Sequence, residues 1–267
     1  MTATAIESGY APVNGLEMYY EMHGTGRPLL LLHGSFMTVE SFGPLLSGLA
    51  ATRRVIVPEL QAHGRTADID RPMSCEQLAD DAAALLRHLG IEQADVAGYS
   101  LGGGVALQLA IRHPELVRKV VPISASLSSH GNYPEVAQGI AQITPELFDG
   151  SPWKETYLRV APDPNGFPKL VERIKAMARQ PREWVEAARG ITTPALIIIG
   201  DSDGTKPEHA AEMFRLFGGG VMGGFAGMPA SQLAILPGTH HVGILERTSW
   251  LLDMIPAFLD APLPERP

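Results

Sequence analysis

The sequence predicts an α/β fold in which a mostly parallel sheet is covered by helices on both faces and carries one helical insertion. Three observations predict it. Apolar runs of strand length alternate with segments of helical periodicity along most of the chain. The runs are continuous, as expected for strands that are buried on both faces. The alternation breaks once, between about residues 126 and 190, and then resumes.

Composition restricts the class of protein. The 267 residues suit one large domain with a small insertion, and 45% hydrophobic with 19% charged residues indicates a compact globular chain. A net charge of −8 without a Lys/Arg-rich run argues against a nucleic-acid partner. Met1–Glu7 lacks the features of a signal peptide, and no apolar segment is long enough to span a bilayer. With Cys75 as the single cysteine, we expect a cytoplasmic protein without a membrane partner.

Five strands are predicted in the first half of the chain. Asn14-Gly15 is a hairpin signal between two antiparallel strands within Tyr10–Gly24. Buried strands follow at 28–32, 54–57 and 94–97. Helices are predicted at 41–51 and 78–89. The second of these follows a capping box, Ser74-x-x-Gln77.

The second half of the chain continues the alternation on either side of the insertion. A helix ends near His113-Pro114, and a strand follows at 119–123. Residues 127–189 are rich in Pro, Trp, Tyr and Phe, a composition that indicates several short helices. After the insertion, we predict strands at 194–200 and 232–236. Helices are predicted at 208–217 and in a last segment that ends at 259, and a flexible glycine-rich loop is predicted at 218–227. Because ligands bind at the carboxyl ends of such strands, we expect residues 126–190 to form a lid over a core of residues 1–125 and 191–267.

The stretch Ala94–Val105 passes from an apolar strand through Gly98-Tyr99-Ser100-Leu101-Gly102 into a helix, which are the parts of a nucleophile elbow. Glycines at the flanks avoid collisions across the turn, and the strained serine is lifted clear of the sheet. A dinucleotide-binding turn would need glycine where Ser100 stands. Because Gly-x-Ser-x-Gly also occurs by chance, an acid, a base and a second oxyanion donor must appear in the required chain order.

The loop His63-Gly64-Arg65 and the step Arg112-His113-Pro114-Glu115 resemble the capped, cofactor-independent branch of the α/β-hydrolase superfamily. Four further motifs, in the order typical of that superfamily, make the chain resemble it as a whole. They are His33-Gly34, Gly98-Tyr99-Ser100-Leu101-Gly102, Gly200-Asp201-Ser202-Asp203 and Pro237-Gly238-Thr239-His240-His241. The resemblance covers nearly the whole chain. It implies the α/β-hydrolase fold, with a mostly parallel eight-stranded sheet, helices on both faces and a small helical lid over the active site.

The resemblance also implies a Ser-His-Asp triad. Ser100 is the expected nucleophile, and a serine favours acyl transfer over dehalogenation or epoxide opening. Alignment on Pro-Gly-x-x-His selects His241 over His240 as the base, since neighbouring loop residues point apart. Alignment on Gly-Asp-x-Asp favours Asp203 over Asp201 as the acid that orients the histidine. The loop after Asp203 lacks the apolar pair and proline that relatives commonly have.

The oxyanion hole is expected to use the backbone N–H groups of Phe36 and Leu101. Ser35 stands where relatives often have glycine, and its hydroxyl is a possible added donor. His33 is interpreted as a structural residue of the oxyanion loop rather than as a base. Cys75 lies in a helix-capping sequence with no sign of an activating base. Neighbouring histidines rarely chelate one ion, and no carboxylate cluster with ligand spacing joins them, so we predict no metal. The resemblance to a cofactor-independent branch implies that no cofactor is needed.

The predicted function is hydrolysis of a small or medium carboxylic ester or lactone through an acyl-enzyme. The same triad also serves C–C bond hydrolysis of a diketone or perhydrolysis, and a ligand receptor with slow turnover is a third hypothesis. Aromatic, histidine and methionine side chains are the candidates for an acyl pocket: Met37, Phe42, Tyr99, His130, Tyr133, Trp153, Tyr157, Phe167 and Met177.

Overall fold

The computed structural model describes residues 7–263, without the side chain of residue 226. Residues 1–6, which include most of the N-terminal stretch that we considered as a signal peptide, lie outside the described residues. The strands are β1 Glu7–Val13, β2 Leu16–His23, β3 Arg27–Leu32, β4 Arg53–Pro58, β5 Ala94–Tyr99, β6 Val117–Ile123, β7 Leu196–Ser202 and β8 Gln232–His240. The helices are α1 Gly43–Ala50, α2 Cys75–His88, α3 Leu101–Arg112, α4 Pro134–Gln142, α5 Pro152–Val160, α6 Phe167–Ala178, α7 Val185–Ala188, α8 Pro207–Leu216, α9 Gly223–Ala226 and α10 Thr248–Asp260.

The eight strands form one mostly parallel sheet in the order β1-β2-β4-β3-β5-β6-β7-β8. β1 and β2 are antiparallel and joined at Asn14-Gly15, both of which have positive φ, as the hairpin signal predicts. β2 is also antiparallel to β4, and every other neighbouring pair is parallel. The predicted fold class is therefore confirmed. None of the helices within residues 7–263 combines the length and apolar character needed to cross a membrane.

The central strands are buried on both faces. Along β3, Leu30 and Leu32 belong to the apolar cluster under α2 and α3, while Leu29 and Leu31 belong to the cluster under α1 and α10. All four leucines have no solvent-exposed surface. This two-sided burial explains why the strand appears in the sequence as a continuous apolar run.

Two predicted helices begin elsewhere in the structure. The helix predicted at 41–51 is a 3₁₀ turn, Val39–Phe42, followed by α1, because Gly43 takes a φ of +46° between them. The helix predicted at 78–89 begins at Cys75, since the Ser74 hydroxyl accepts the Gln77 N–H at 3.2 Å. The Gln77 side chain donates to Asp81 on α2 and does not return the reciprocal bond of a capping box.

Two predictions near the carboxyl end also differ from the structure. β8 extends to His240, four residues beyond the predicted end, because Ser202 pairs with His240 after a register shift in the β7–β8 ladder. The glycine-rich excursion at 218–227 contains the short helix α9. The loop after β8 therefore starts directly at His241.

One segment between β6 and β7 interrupts the alternation of strands and helices and carries α4 to α7. Its two ends meet. Ser128 and Glu183 form an antiparallel bridge, and the Trp184 N–H donates to the Leu127 carbonyl at 2.9 Å. We call residues 129–182 the inserted segment. It emerges at the carboxyl edge of the sheet, where β5, β7 and β8 also end.

Candidate active site

Ser100 occupies a sharp turn between β5 and α3. Its φ and ψ are +55° and −112°, a conformation that L residues rarely adopt. The backbone N–H of Ser100 donates to the Ile123 carbonyl of β6 at 2.9 Å, which holds the strained residue in the sheet ladder. The turn therefore presents the hydroxyl at the carboxyl edge of the sheet.

Glycine is required on both sides of this serine. A Cβ on Gly98 would lie within 3.0 Å of the Gly102 carbonyl, and a Cβ on Gly102 would lie within 3.0 Å of the Leu32 carbonyl. Both obstacles are backbone atoms, which cannot swing aside. Close packing of α3 against β5 and β3 thus excludes side chains at these two positions.

Gly98→Ala is expected to lower the free energy of unfolding by about 3 kcal/mol or more, because the new methyl group forces α3 away from the sheet. Urea-induced unfolding measures the change. Gly139→Ala is the matched control: Gly139 lies in α4 with nothing near the added Cβ, so alanine there is expected to stabilise the protein by about 0.5–1 kcal/mol. Equal unfolding midpoints for the two variants would contradict the packing argument.

Ser100, His241 and Asp203 form one hydrogen-bonded chain. The ring nitrogens of His241 lie 2.8 Å from Asp203 Oδ1 through Nδ1 and 2.9 Å from Ser100 Oγ through Nε2. An ionised carboxylate only accepts, so Nδ1 carries the proton and Nε2 is free to accept from the serine hydroxyl. Such an arrangement activates a serine, because the imidazole takes its proton as the oxygen attacks.

Asp203 is buried and held by several donors. The Ser124 hydroxyl donates to Oδ2, as does the Gly200 N–H at 3.3 Å. Burial, the largest single influence, raises the pKa of Asp203. The hydrogen bond and charge of His241, together with the donors from Ser124 and Gly200, lower the pKa by more in total. The net pKa lies below its usual range, so the carboxylate is ionised at neutral pH.

The neighbours Asp201 and His240 take other positions. Asp201 accepts the N–H groups of Gly238 at 2.9 Å and Thr239 at 3.1 Å, which fastens the loop that leads to His241. The exposed His240 accepts the Gly243 N–H at 3.2 Å through Nδ1. Within the described residues, the hydrogen bonds therefore connect Asp203 and His241 to Ser100. They connect Asp201 and His240 to nearby backbone N–H groups.

Tyr99 supports the same loop from the opposite side. Its hydroxyl donates to the His241 carbonyl at 3.0 Å, and its ring lies 5.4 Å from the His241 ring. Burial raises the pKa of Tyr99, followed by the effect of the Asp203 charge, so the phenol stays a donor. Tyr99 therefore helps to position the imidazole of His241.

The expected oxyanion donors belong to two residues that line the cavity. Leu101 is the first residue of α3, where a backbone N–H has no partner within the helix. Phe36 follows β3 with a φ of +66°, and both residues line the same cavity as Ser35 and Ser100. Both residues therefore lie at the cavity that contains Ser100.

His33 is fully buried behind the Phe36 loop. The Leu60 N–H donates to Nε2 at 3.0 Å, so Nδ1 carries the proton and donates to the Gly34 carbonyl at 2.8 Å. Burial, reinforced by the nearby His63, lowers the pKa of His33 to about 3. His33 is therefore a neutral link between the two loops, in agreement with its structural interpretation. Residues 7–263 contain no group of three or more His, Cys, Asp or Glu side chains placed to hold a metal ion.

A cavity of about 430 Å³ opens above Ser100. Its lining is mainly apolar and comes from the core and from the inserted segment: Ser35, Phe36, Met37, Tyr99, Ser100, Leu101, Asn132, Val136, Ile140, Ile143, Phe148, Trp153, Ile174, Met177, Ala178, Arg182, Gly204, Thr205, His241 and Val242. Of the predicted pocket candidates, Met37, Tyr99, Trp153 and Met177 belong to it. Phe42, His130, Tyr133, Tyr157 and Phe167 do not.

Sequence reasoning missed two polar residues of this site. Ser124 follows β6 with a φ of +53° and bonds to Asp203, and Arg182 lines the cavity from the end of the inserted segment. A serine directly after a predicted parallel strand was a usable signal for Ser124, because that edge of the sheet carries the site. The arginine lies in a segment without periodicity, and the sequence contains no signal for it.

Comparisons with known proteins agree with this architecture. The model of the alpha/beta hydrolase fold family matches residues 27–165. A 2-hydroxymuconate semialdehyde hydrolase from Pseudomonas sp. (strain CF600) is 32% identical to the chain over 205 residues, an alignment that covers 67% of this chain and 71% of that relative.

Solved structures with lower sequence identity share the fold. The enol-lactonase from Burkholderia xenovorans LB400 has a TM-score of 0.72 at 21% identity, covering 94% of this chain and 100% of its own. A thermophilic esterase from Thermogutta terrifontis has a TM-score of 0.72 at 22% identity, covering 95% of this chain and 98% of its own. At this level of sequence identity, the two similarities show a shared fold.

Proposed function

The chain belongs to the alpha/beta hydrolase fold family, and from this premise we propose that it is a serine hydrolase that cleaves a small or medium carboxylic ester or lactone. The observation that carries the proposal is the hydrogen-bonded chain from Ser100 through His241 to Asp203 beneath an apolar cavity. Each of the three residues follows a different strand, β5, β8 or β7, at the same edge of the sheet.

In the proposed first half-reaction, the Ser100 hydroxyl attacks the substrate carbonyl while His241 Nε2 takes its proton. Asp203 keeps the imidazole in the required tautomer and stabilises the imidazolium that forms. The imidazolium then protonates the leaving alcohol, and the acyl group remains on Ser100. The 2.9 Å separation of Oγ and Nε2 supports this direct proton transfer.

Negative charge on the tetrahedral intermediate is proposed to be bound by the N–H groups of Leu101 and Phe36. The N-terminus of α3 adds a favourable dipole at Leu101. In the second half-reaction, water attacks the carbonyl of the acyl-enzyme while His241 accepts its proton. The imidazolium then returns the proton to Ser100 Oγ as the bond from Oγ to the acyl carbon breaks and the acid product leaves. These reaction steps use side chains, backbone N–H groups and water, and they need no cofactor.

We propose that residues 126–190 act as the lid of this site, with the core supplied by residues 1–125 and 191–267. Support comes from the cavity lining, to which α4 and α6 contribute Val136, Ile140, Ile174 and Met177. Apolar walls favour entry of an apolar acyl or alkyl group and exclude water around the reacting carbonyl.

C–C bond hydrolysis is a second candidate, favoured by the similarity to the 2-hydroxymuconate semialdehyde hydrolase. The same serine, histidine and oxyanion donors can serve both reactions, so the fold does not separate them. Consumption of 2-hydroxymuconate semialdehyde at a kcat/KM above that for 4-nitrophenyl esters would make C–C hydrolysis the preferred assignment.

Labelling with a fluorophosphonate, followed by mass spectrometry, tests the proposed nucleophile. We expect one adduct on Ser100, with Ser35 in the same cavity unmodified, because only Ser100 has an adjacent base. His241→Ala is expected to lose the label. A folded protein that stays unlabelled would contradict the hydrolase proposal and favour a ligand receptor.

A further inference from the structure

Arg182 differs from the other residues that line the cavity above Ser100. It is the one arginine or lysine in the lining, and no Asp or Glu of the described chain joins it there. The remaining walls are apolar or carry uncharged polar groups, apart from His241. A permanent positive charge therefore faces a mainly apolar binding space.

The backbone of Arg182 is fastened at the base of the inserted segment. Its carbonyl accepts the Ser129 N–H at 2.8 Å, and its own N–H donates to the Ser129 hydroxyl at 2.9 Å. The adjacent bridge between Ser128 and Glu183 lies in the same short ladder. The start of the side chain is therefore held by rigid backbone contacts.

The guanidinium is also positioned, and most of its donors stay free. It lies over the Trp184 ring at 4.8 Å from the centroid, and Nη1 donates to the Ser126 hydroxyl at 3.3 Å. An arginine has five N–H donors. Stacking uses the face of the guanidinium, so its edge stays available for a planar acceptor.

The nearby acidic side chains have other partners. Glu183 accepts from the Ser128 hydroxyl at 3.3 Å, and Glu76 accepts from Trp184 Nε1 at 2.9 Å. Burial, the largest influence, raises the pKa of the Cys75 thiol beside Arg182 to about 11, so it stays uncharged. No ion pair joins Arg182 to a carboxylate within residues 7–263.

Arg182 is partly buried and has no carboxylate partner among residues 7–263, so a ligand carboxylate can pair with it without displacing a protein group. We propose that Arg182 binds a carboxylate of the substrate, so that the preferred substrates are esters or lactones that carry a free carboxylate away from the scissile carbonyl. The edge of the guanidinium matches two carboxylate oxygens. Asn132, which lines the same cavity, accepts the Thr205 hydroxyl through Oδ1, and its amide N–H groups provide further donors. This inference rests on the proposed hydrolase function.

The test compares matched esters of one diacid. Mono-4-nitrophenyl adipate and mono-4-nitrophenyl suberate carry the free carboxylate, and their methyl esters are the neutral partners. We expect the wild-type protein to show a kcat/KM about 10- to 100-fold higher for the charged member of at least one pair. Arg182→Gln is expected to reduce this ratio by a similar factor, and Arg182→Lys to retain part of it.

Arg189→Gln is the matched control. It removes one positive charge nearby in sequence, but Arg189 is exposed, pairs with Glu186 and does not line the cavity. The ratio of charged to neutral ester hydrolysis should therefore stay at the wild-type value. A ratio that falls equally in Arg182→Gln and Arg189→Gln would overturn the proposed subsite, because general electrostatic attraction would then explain the preference.

The two proposals fail in different ways. Hydrolysis of charged and neutral esters at equal kcat/KM by the wild-type protein would overturn the carboxylate subsite alone. If no ester is hydrolysed, the hydrolase proposal fails, and calorimetric binding of monomethyl adipate against dimethyl adipate still tests Arg182. Preferential binding of the monoacid to wild-type protein, lost in Arg182→Gln or weakened in Arg182→Lys, supports the subsite, and equal binding of the two esters contradicts it.

Discussion

Ser100→Ala is expected to lower kcat for 4-nitrophenyl butyrate by about 10⁴-fold or more. The substitution removes the only side-chain oxygen that bonds to His241 Nε2 in the described chain, and no covalent acyl intermediate can form without it. Steady-state kinetics with the purified variant measure the loss. Residual activity would come from oxyanion binding and substrate orientation alone.

Ser35→Ala is the control for this experiment. Ser35 lines the same cavity, but none of the histidines in residues 7–263 bonds to its hydroxyl, so we expect its loss to stay within about tenfold, as for a single weak hydrogen bond. Near-normal turnover by a Ser100→Ala variant that unfolds at the wild-type temperature would exclude the acyl-enzyme mechanism.

His241→Ala is expected to lower kcat by about 10⁴- to 10⁶-fold, because no other described group lies within hydrogen-bond distance to take the Ser100 proton. The adjacent His240→Ala should stay within about threefold of the wild-type rate. Its ring is exposed and contacts the Gly243 N–H, so its removal costs one weak surface hydrogen bond.

The two histidine variants have the same composition and differ by one position in the chain. A comparison of their kcat values therefore measures the direction of the side chains and not the loss of an imidazole as such. A large loss in His240→Ala with a small loss in His241→Ala would reverse the assignment of the base. Circular dichroism of both variants shows whether the loop after β8 still folds.

The strands were predictable because burial on both faces leaves a direct pattern in the sequence. Leu29 to Leu32 are continuous and apolar for this reason, and the Asn14-Gly15 turn has the left-handed conformation that this residue pair favours. Boundaries were less predictable. The end of β8 depends on a register shift against β7, and the break before α1 depends on one glycine with positive φ, neither of which is visible in local periodicity.

The candidate site was predictable where a single turn carries the chemistry. Gly98 and Gly102 appear in the sequence because backbone atoms fill the space of their side chains. Ser124 was not identified although it directly follows a predicted strand, whereas Arg182 was not identified because its position depends on contacts between segments far apart in the chain. Half of the residues that line the cavity likewise come from the inserted segment, whose helices are short.

The bridge between Ser128 and Glu183 closes the inserted segment at its base. A loop whose ends are already held together can change length at a cost that grows only with the logarithm of its size. Ser100, Asp203 and His241 all lie outside it, and their mutual hydrogen bonds do not pass through it. We therefore expect that a chimera carrying the corresponding segment of a relative, with its contacts to the loop at 204–206 retained, would change its substrate preference and keep the same reacting groups.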